Sequence, residues 1–143
     1  MPVNNTTQLV DLMLQTGRQI REGSRGADRF SPYTALRLEA LGFIASAKDP
    51  TMRDVAEYFG ITPPSATSLI NGLVKSGAIA RKTDKTDRRV TRLAITASGK
   101  KAFAAGHAQL SGHMHGILKN LSNTERDALI HIFKKLSRIY AHD

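Results

Sequence analysis

The 143 residues include 21 lysines and arginines against 12 aspartates and glutamates, which gives a formal net charge of +9. This length suffices for one domain with a real hydrophobic core, and the lack of cysteine excludes disulfide bonds and thiolate metal sites. No apolar run approaches the ~18 residues of a membrane span, and the first residues lack a signal-peptide pattern, so we expect a cytoplasmic protein without a membrane partner.

The first part of the chain predicts two helices. Apolar residues recur at helical spacing along one side of residues 6–22. A glycine-containing loop follows, and a second helix begins at Ser31 and Pro32, a polar cap and a proline at the first helical position. This second helix is apolar on more than one face, which predicts a central position in the fold.

Two further helices are closely spaced. Thr51 and Asp54 form a capping pattern at the start of the third helix, and Gly60 predicts its end. The fourth helix begins at Thr62, which two prolines follow, and ends at Gly77. Helices of about 8 and 14 residues joined by a turn of about three residues are typical of a helix-turn-helix.

A basic β-hairpin follows. Its strands are predicted at residues 78–82 and 90–96, and its tip at residues 83–89 lacks glycine, which indicates a loop longer than a two-residue turn. Residues 81–101 carry a net charge of +6 out of the total of +9. Such a local concentration indicates a polyanionic partner, nucleic acid before membrane; the alternative is a basic face that only contacts solvent.

The last part of the chain predicts two long helices, at residues 97–120 and 124–141. The first has a seam with heptad spacing, which favours a helical dimer interface; the alternative is that the seam packs only on the chain's own second helix. The seam residues are Phe103, His107, Leu110, Met114, Ile117 and Leu121.

The fourth helix carries small polar side chains that reach base edges without filling a DNA groove. These residues are Ser65, Thr67, Ser68 and Asn71. Because the two prolines lack N–H groups, only the amides of Ser65 and Ala66 are expected to be free for phosphate at the helix start.

The hairpin tip predicts a second contact. Asp87 precedes Arg89 by two residues, which favours a bidentate pair that orients the arginine, and arginine is suited to the negative potential of the minor groove. The alternative is a surface ion pair with little effect.

The run from Asp87 to Gly99 resembles the wing signature of the MarR (multiple antibiotic resistance regulator) transcription factors: Asp-x-Arg, three residues, then apolar-x-apolar-Thr-x-x-Gly. Residues 51–60 and 69–77 are similar to the family's helix-turn-helix. The resemblance implies a mainly α winged helix-turn-helix with a small β-hairpin. It implies a single chain, residues 1–143, with a DNA-binding lobe at residues 31–99 and dimerisation helices at residues 1–30 and 100–143.

The resemblance also implies roles for individual residues. The polar residues of the fourth helix would lie in the major groove of a palindromic operator, and two such helices of a homodimer would read successive turns. Arg89, oriented by Asp87, would enter the minor groove, and Lys85 and Arg88 would contact phosphate.

Gly72 departs from the family, since many members carry a larger residue there. A small aromatic or phenolic effector would bind between arm and lobe. The candidate effector residues are Arg18, Tyr33 and His107.

We therefore predict a sequence-specific regulator that binds double-stranded DNA, a repressor released by a small-molecule effector. No nucleophile motif, phosphate-binding glycine loop or carboxylate pair near a histidine indicates an enzyme. No two histidines have the i, i+4 spacing of a helical zinc site, so we predict neither metal nor cofactor. The alternatives are a metal-responsive winged-helix regulator and a nucleoid-type DNA-binding protein without an effector.

Overall fold

The computed structural model describes residues 4–23 and 32–139. These residues are mainly helical with one two-stranded antiparallel hairpin, which confirms the predicted fold class. Most of the predicted glycine-containing loop (residues 24–31), the cap at Ser31 and the last two residues of the final predicted helix (140–141) lie outside the described residues. In chain order the elements are α1 (Asn5–Gly23), α2 (Pro32–Ser46), α3 (Met52–Phe59), α4 (Pro63–Lys75), β1 (Ile79–Thr83), β2 (Thr91–Ile95), α5 (Ala97–Leu118) and α6 (Asn123–Ile139).

The start and end of α3 follow the predicted pattern. The Asp54 amide donates to Thr51 Oγ1 at 3.1 Å, and the Thr51 amide donates to Asp54 Oδ2 at 2.9 Å, so the capping box is complete. Gly60 ends the helix with a φ of 60°, a left-handed conformation that glycine adopts without strain. Both features fix the turn between α3 and α4.

The hydrophobic core lies beneath α2, α3, α4 and the hairpin. Four residues of α4 at helical spacing are buried in it: Ala66, Leu69, Ile70 and Leu73. Antiparallel pairing of β1 with β2 places Ile79 opposite Ile95 and Arg81 opposite Leu93, and Leu93 is fully buried. The core therefore covers one side of α4 and leaves its other side in solvent.

The junction between β2 and α5 accounts for the Thr-x-x-Gly part of the sequence pattern. The Thr96 hydroxyl donates to the Gly77 carbonyl at 2.6 Å and accepts from the Gly99 amide at 2.9 Å. A Cβ atom added at Gly99 would lie 2.1 Å from the Ala78 carbonyl oxygen. Glycine is thus required here by close backbone contact rather than by its own dihedral angles.

The chain divides into two compact units after Gln109, within α5. In the first unit, α5 packs on α2. A Cβ at Gly42 would lie 3.0 Å from the Phe103 ring, and a Cβ at Gly106 would lie 2.9 Å from Leu38 Cδ1. The predicted dimer seam is therefore wrong for Phe103, whose ring packs on α2 of its own chain, as in the alternative interpretation. Leu121 also falls outside the seam, because α5 ends at Leu118.

Helices α1 and α6 carry large apolar side chains that are exposed, each considered within its own unit. In α1 the most exposed is Met13, at 70%, and in α6 Ile139 and Phe133 reach 64% and 62%. Such concentrations of exposed apolar surface are unusual for a monomer. Among the described residues, no helix combines the length and the apolar character needed to cross a membrane.

Candidate nucleic-acid interface

The solvent side of α4 presents the polar residues selected from the sequence. All four are exposed, and Ser68 and Asn71 lie opposite the buried stripe of the helix. Ser65 and Thr67 lie on opposite flanks of that side. The Thr67 hydroxyl donates to the Pro63 carbonyl at 3.0 Å, so its donor is already used. Within the described part of the chain, the Ser68 hydroxyl makes no hydrogen bond.

The start of α4 offers no free amide for phosphate, which corrects the prediction for Ser65 and Ala66. The Ser65 amide donates to Thr62 Oγ1 at 3.3 Å, and the Ala66 amide donates to the Thr62 carbonyl at 2.9 Å. Thr62 is thus the N-cap, and the amides of Ser65 and Ala66 are both used in hydrogen bonds to it. The Thr62 hydroxyl in turn donates to Ser65 Oγ at 2.9 Å, which leaves the Ser65 hydroxyl hydrogen available.

Asn71 is already partnered in this structure. Its Oδ1 accepts a hydrogen bond from Arg81 Nη2, which reaches across from β1. The pairing register explains the contact, because Arg81 lies opposite the buried Leu93 and so shares the face of the hairpin turned toward the core and α4. Arg81 was not among the predicted DNA-binding residues, although the alternation of Ile79 and Arg81 along the strand was a usable signal.

The wing, defined here as the loop of residues 84–90 with its two flanking strands, is organised by Asp84. Asp84 Oδ1 accepts from Arg92 Nε at 2.9 Å, and Asp84 Oδ2 accepts from the Asp87 amide at 3.1 Å. The hydrogen bond from the Arg92 side chain, followed by that from the Asp87 backbone, lowers the pKa of Asp84. The carboxylate is therefore ionised at neutral pH and fixes the base of the loop.

Arg92 also joins the wing to the corner before α3. Its Nη1 donates to the Asp49 carbonyl at 2.9 Å, and the Leu93 amide donates to the Pro50 carbonyl at 2.8 Å. The charge count along the sequence includes Arg92 in the basic patch, but its guanidinium holds the wing in place instead. Neither Asp84 nor Arg92 was selected from the sequence, because their spacing of eight residues carries no local motif.

The tip of the wing contains the predicted Asp87–Arg89 pair. Arg89 Nε lies 3.1 Å from Asp87 Oδ1, and Arg89 Nη2 lies 3.4 Å from Asp87 Oδ2, so both carboxylate oxygens accept. The Arg89 amide also donates to Asp87 Oδ1 at 3.1 Å. The Arg89 side chain remains 91% exposed. The carboxylate thus restricts the arginine without removing it from solvent.

Other cations surround this tip. Lys85 and Arg88 are exposed and make no ion pair within residues 4–23 and 32–139. A cavity of about 360 Å³ separates the wing from the start of α3, and both Arg53 and Arg89 line it. Arg53 pairs with Glu57 at 3.0 Å on the surface of α3. The wing tip therefore carries two cations, Lys85 and Arg88, that no described ion pair neutralises, beside the exposed Arg89.

The three candidate effector residues are not joined by any described contact. Arg18 is exposed on α1, and His107 is exposed on α5 with its ring centroid 5.8 Å from that of Phe103. The Tyr33 side chain lies outside the described residues. The same unit contains a cavity of about 260 Å³ between α2, α4 and α5, and none of the three candidates is among its lining residues. Its lining residues are Thr34, Arg37, Leu38, Leu41, Leu73, Ser76, Ala78, Ala102 and Gly106.

Across the described ranges, no three histidine or acidic side chains converge as they would around a metal ion. In the second unit, His113 Nε2 is buried and has no hydrogen-bond partner among the described residues. The chemistry offered by the lobe is therefore hydrogen bonding and positive charge on one exposed surface.

Comparisons with known proteins agree with this arrangement. Residues 32–90 match the model of the MarR family. The HTH-type transcriptional repressor YetL of Bacillus subtilis is 24% identical over 110 residues, which cover 71% of this chain and 64% of YetL. The chain thus matches less than two thirds of the length of such curated relatives.

Solved structures share the fold. The crystal structure of MarR superposes with a TM-score of 0.75 at 16% identity, covering 99% of this chain and 92% of that chain. FabT of Streptococcus pneumoniae, solved in complex with DNA, gives a TM-score of 0.64 at 18% identity, with 95% and 94% covered. Both likenesses support the winged helix-turn-helix architecture.

Proposed function

We propose that this chain, whose residues 32–90 match the model of the MarR family, binds operator DNA as a homodimer and represses transcription until a small molecule releases it. The match to this family of transcription regulators favours a DNA-binding regulator over an enzyme. The observation that carries the proposal is the exposed polar side of α4 beside a wing whose arginine is held by Asp87.

The major-groove part of the proposal rests on α4. An α-helix fits the major groove of B-form DNA, and hydroxyl and amide side chains can bond the base edges there. Ser68 and Asn71 face solvent at the centre of the exposed side, and Ser65 has a free hydroxyl hydrogen at its flank. Thr67 contributes its oxygen as an acceptor, because its hydrogen is used within the helix.

The minor-groove part rests on the wing. Arg89 is exposed yet restricted by two oxygens of Asp87, so its entry into a narrow groove would cost less side-chain entropy than that of a free arginine. Lys85 and Arg88 flank it without ion pairs among the described residues, which suits them to phosphate. FabT, which shares the fold, has been solved in complex with DNA.

The homodimer rests on the exposed apolar faces of α1 and α6. A second copy of the chain is the occupant that pairs such faces by symmetry. Two copies would present two α4 helices to a palindromic operator, with half-sites about 34 Å apart. We propose that the chain acts in the cytoplasm, where it would meet chromosomal DNA.

The effector part rests on the cavity between α2, α4 and α5. Arg37, at the cavity, donates to the Gly72 carbonyl of α4 at 3.0 Å. An aromatic or phenolic anion in the cavity would compete for this guanidinium and bias the position of α4. A ligand that binds one arrangement better shifts the population toward it. Arg18, Tyr33 and His107 stay candidates for the outer wall of such a site.

The test is selection of bound duplexes from a random pool, followed by mobility shifts at several salt concentrations. We expect one palindromic sequence to be enriched over random duplex. Arg89→Ala should flatten the dependence of log K on log salt by roughly 0.9 if it removes one phosphate-equivalent contact. Lys119→Ala, which removes one exposed positive charge beyond the end of α5, should leave this slope unchanged. Failure to enrich any duplex would refute the proposal.

A further inference from the structure

The hydrogen bond between Arg81 and Asn71 changes what Asn71 can recognise. A free asparagine offers one acceptor and one donor side by side, and it pairs bidentately with adenine N6 and N7. Here the acceptor, Oδ1, is occupied by Arg81 Nη2. The two N–H groups of the Asn71 amide are what remain for a base.

Resting on the proposed function, we propose that Asn71 and Arg81 act as one donor-only reader that selects guanine in the major groove. Guanine presents two neighbouring acceptors there, N7 and O6, whereas adenine presents one acceptor beside an amino donor. An asparagine amide that can only donate fits the two acceptors of guanine. Against adenine, one of its N–H groups would face the amino donor and find no acceptor. The guanidinium of Arg81, with further N–H groups, adds donors of the same kind.

The pair is built on two rigid supports. Asn71 follows Ile70, which is fully buried, and Arg81 lies opposite Leu93, which is also fully buried. Both backbones are therefore fixed by the core, while both side chains are exposed. A reader that is arranged before binding loses less conformational freedom when it meets DNA. Neighbouring Lys82 lies on the other face of the hairpin, opposite Arg92, and so does not take part.

This placement also assigns different tasks to the polar residues of α4. Ser68 has a free hydroxyl and can bond donors or acceptors, so it discriminates weakly. The Asn71–Arg81 pair is the strongest source of base preference on the helix. Arg81 of the hairpin sets this preference for guanine. The sequence of α4 alone, with an unpartnered Asn71, would predict adenine.

The experiment compares selected sequences for four proteins: wild type, Asn71→Ala, Arg81→Met and Lys82→Met. Asn71→Ala identifies the operator position that the pair reads, since the preference there should disappear. The wild type should prefer guanine at that position, roughly tenfold over adenine. Arg81→Met frees Asn71 Oδ1 and should move the preference toward adenine. Lys82→Met removes the same charge and should weaken binding without changing the preferred base.

The outcomes distinguish a failure of the proposed function from a failure of the guanine preference alone. If the wild type enriches no sequence over random duplex, the proposed function and this inference both fail. If a specific operator is enriched but adenine is preferred at the Asn71 position, only this inference fails. The same holds if Arg81→Met and Lys82→Met give identical profiles. Matching thermal transitions for all four proteins would show that the exposed substitutions leave the fold intact.

Discussion

A methyl group at Gly99 should destabilise the lobe, although alanine is the better helix former. The added Cβ would lie 2.1 Å from the Ala78 carbonyl oxygen and 2.8 Å from Ile95 Cγ1. A backbone oxygen cannot move aside as a flexible side chain can, so α5 must shift away from the hairpin. That shift would also weaken the hydrogen bond from the Gly99 amide to Thr96 Oγ1.

The magnitude follows from two opposing terms. Replacing glycine by alanine in a helix gains up to about 1 kcal/mol, whereas overpacking a close contact costs about 1–3 kcal/mol or more. Because the clash is with backbone and a cap is weakened, we expect a net loss of about 2–3 kcal/mol for Gly99→Ala. The control is Gly116→Ala in the same helix, where the Cβ would meet nothing within 4 Å.

The assay is urea denaturation of both variants at one fixed protein concentration, since association would shift the midpoint. Gly116→Ala should be as stable as the wild type or more stable by up to about 1 kcal/mol. Equal stability of Gly99→Ala and its control would show that the close approach of α5 to Ala78 imposes no constraint, contrary to this prediction.

Further predictions concern the cap, the wing and the apolar faces. Thr51→Ala should lower the free energy of unfolding by about 1 kcal/mol, whereas Thr86→Ala, which removes no hydrogen bond among the described residues, should not; urea denaturation compares them. The pKa of Asp84 is lowered below its ordinary value of 3.8, so its contribution to stability is present above that value and is lost as the pH falls through the lowered pKa. Titration of the Asp84 carboxyl by NMR should give this lowered pKa, and Arg92→Met, which removes the largest cause of the shift, should raise the pKa toward its ordinary value. Phe133→Asp should convert the proposed dimer to a species of 15.6 kDa in analytical ultracentrifugation; an unchanged dimer would mean that the α6 face lies outside the interface.

Features that depend on residues close together in the chain could be predicted from the sequence. The capping box of Thr51 and Asp54, the left-handed Gly60 and the pairing of Asp87 with Arg89 each involve groups within three residues of one another. The order of helices and strands follows from the spacing of apolar residues and from the glycine and proline positions. These local features were enough to identify the fold class.

Contacts between distant segments were harder to predict. Arg92 binds Asp84 and the Asp49 carbonyl, and Arg81 binds Asn71, so two arginines of the basic patch have partners within the chain itself. A charge count treats every arginine alike and cannot identify such pairs. Phe103 has the heptad spacing of a dimer seam but packs against Gly42, because the missing side chain there lets α5 approach α2 closely.

Methylation interference with dimethyl sulfate on the selected duplex is the most direct test of how the lobe meets DNA. The reagent marks guanine N7 in the major groove and adenine N3 in the minor groove. Twofold-related guanine positions should interfere through α4, and flanking adenine positions should interfere through the wing and lose that effect in Arg89→Ala. If methylation in neither groove reduced binding, the placement of α4 in the major groove and of the wing in the minor groove would be contradicted.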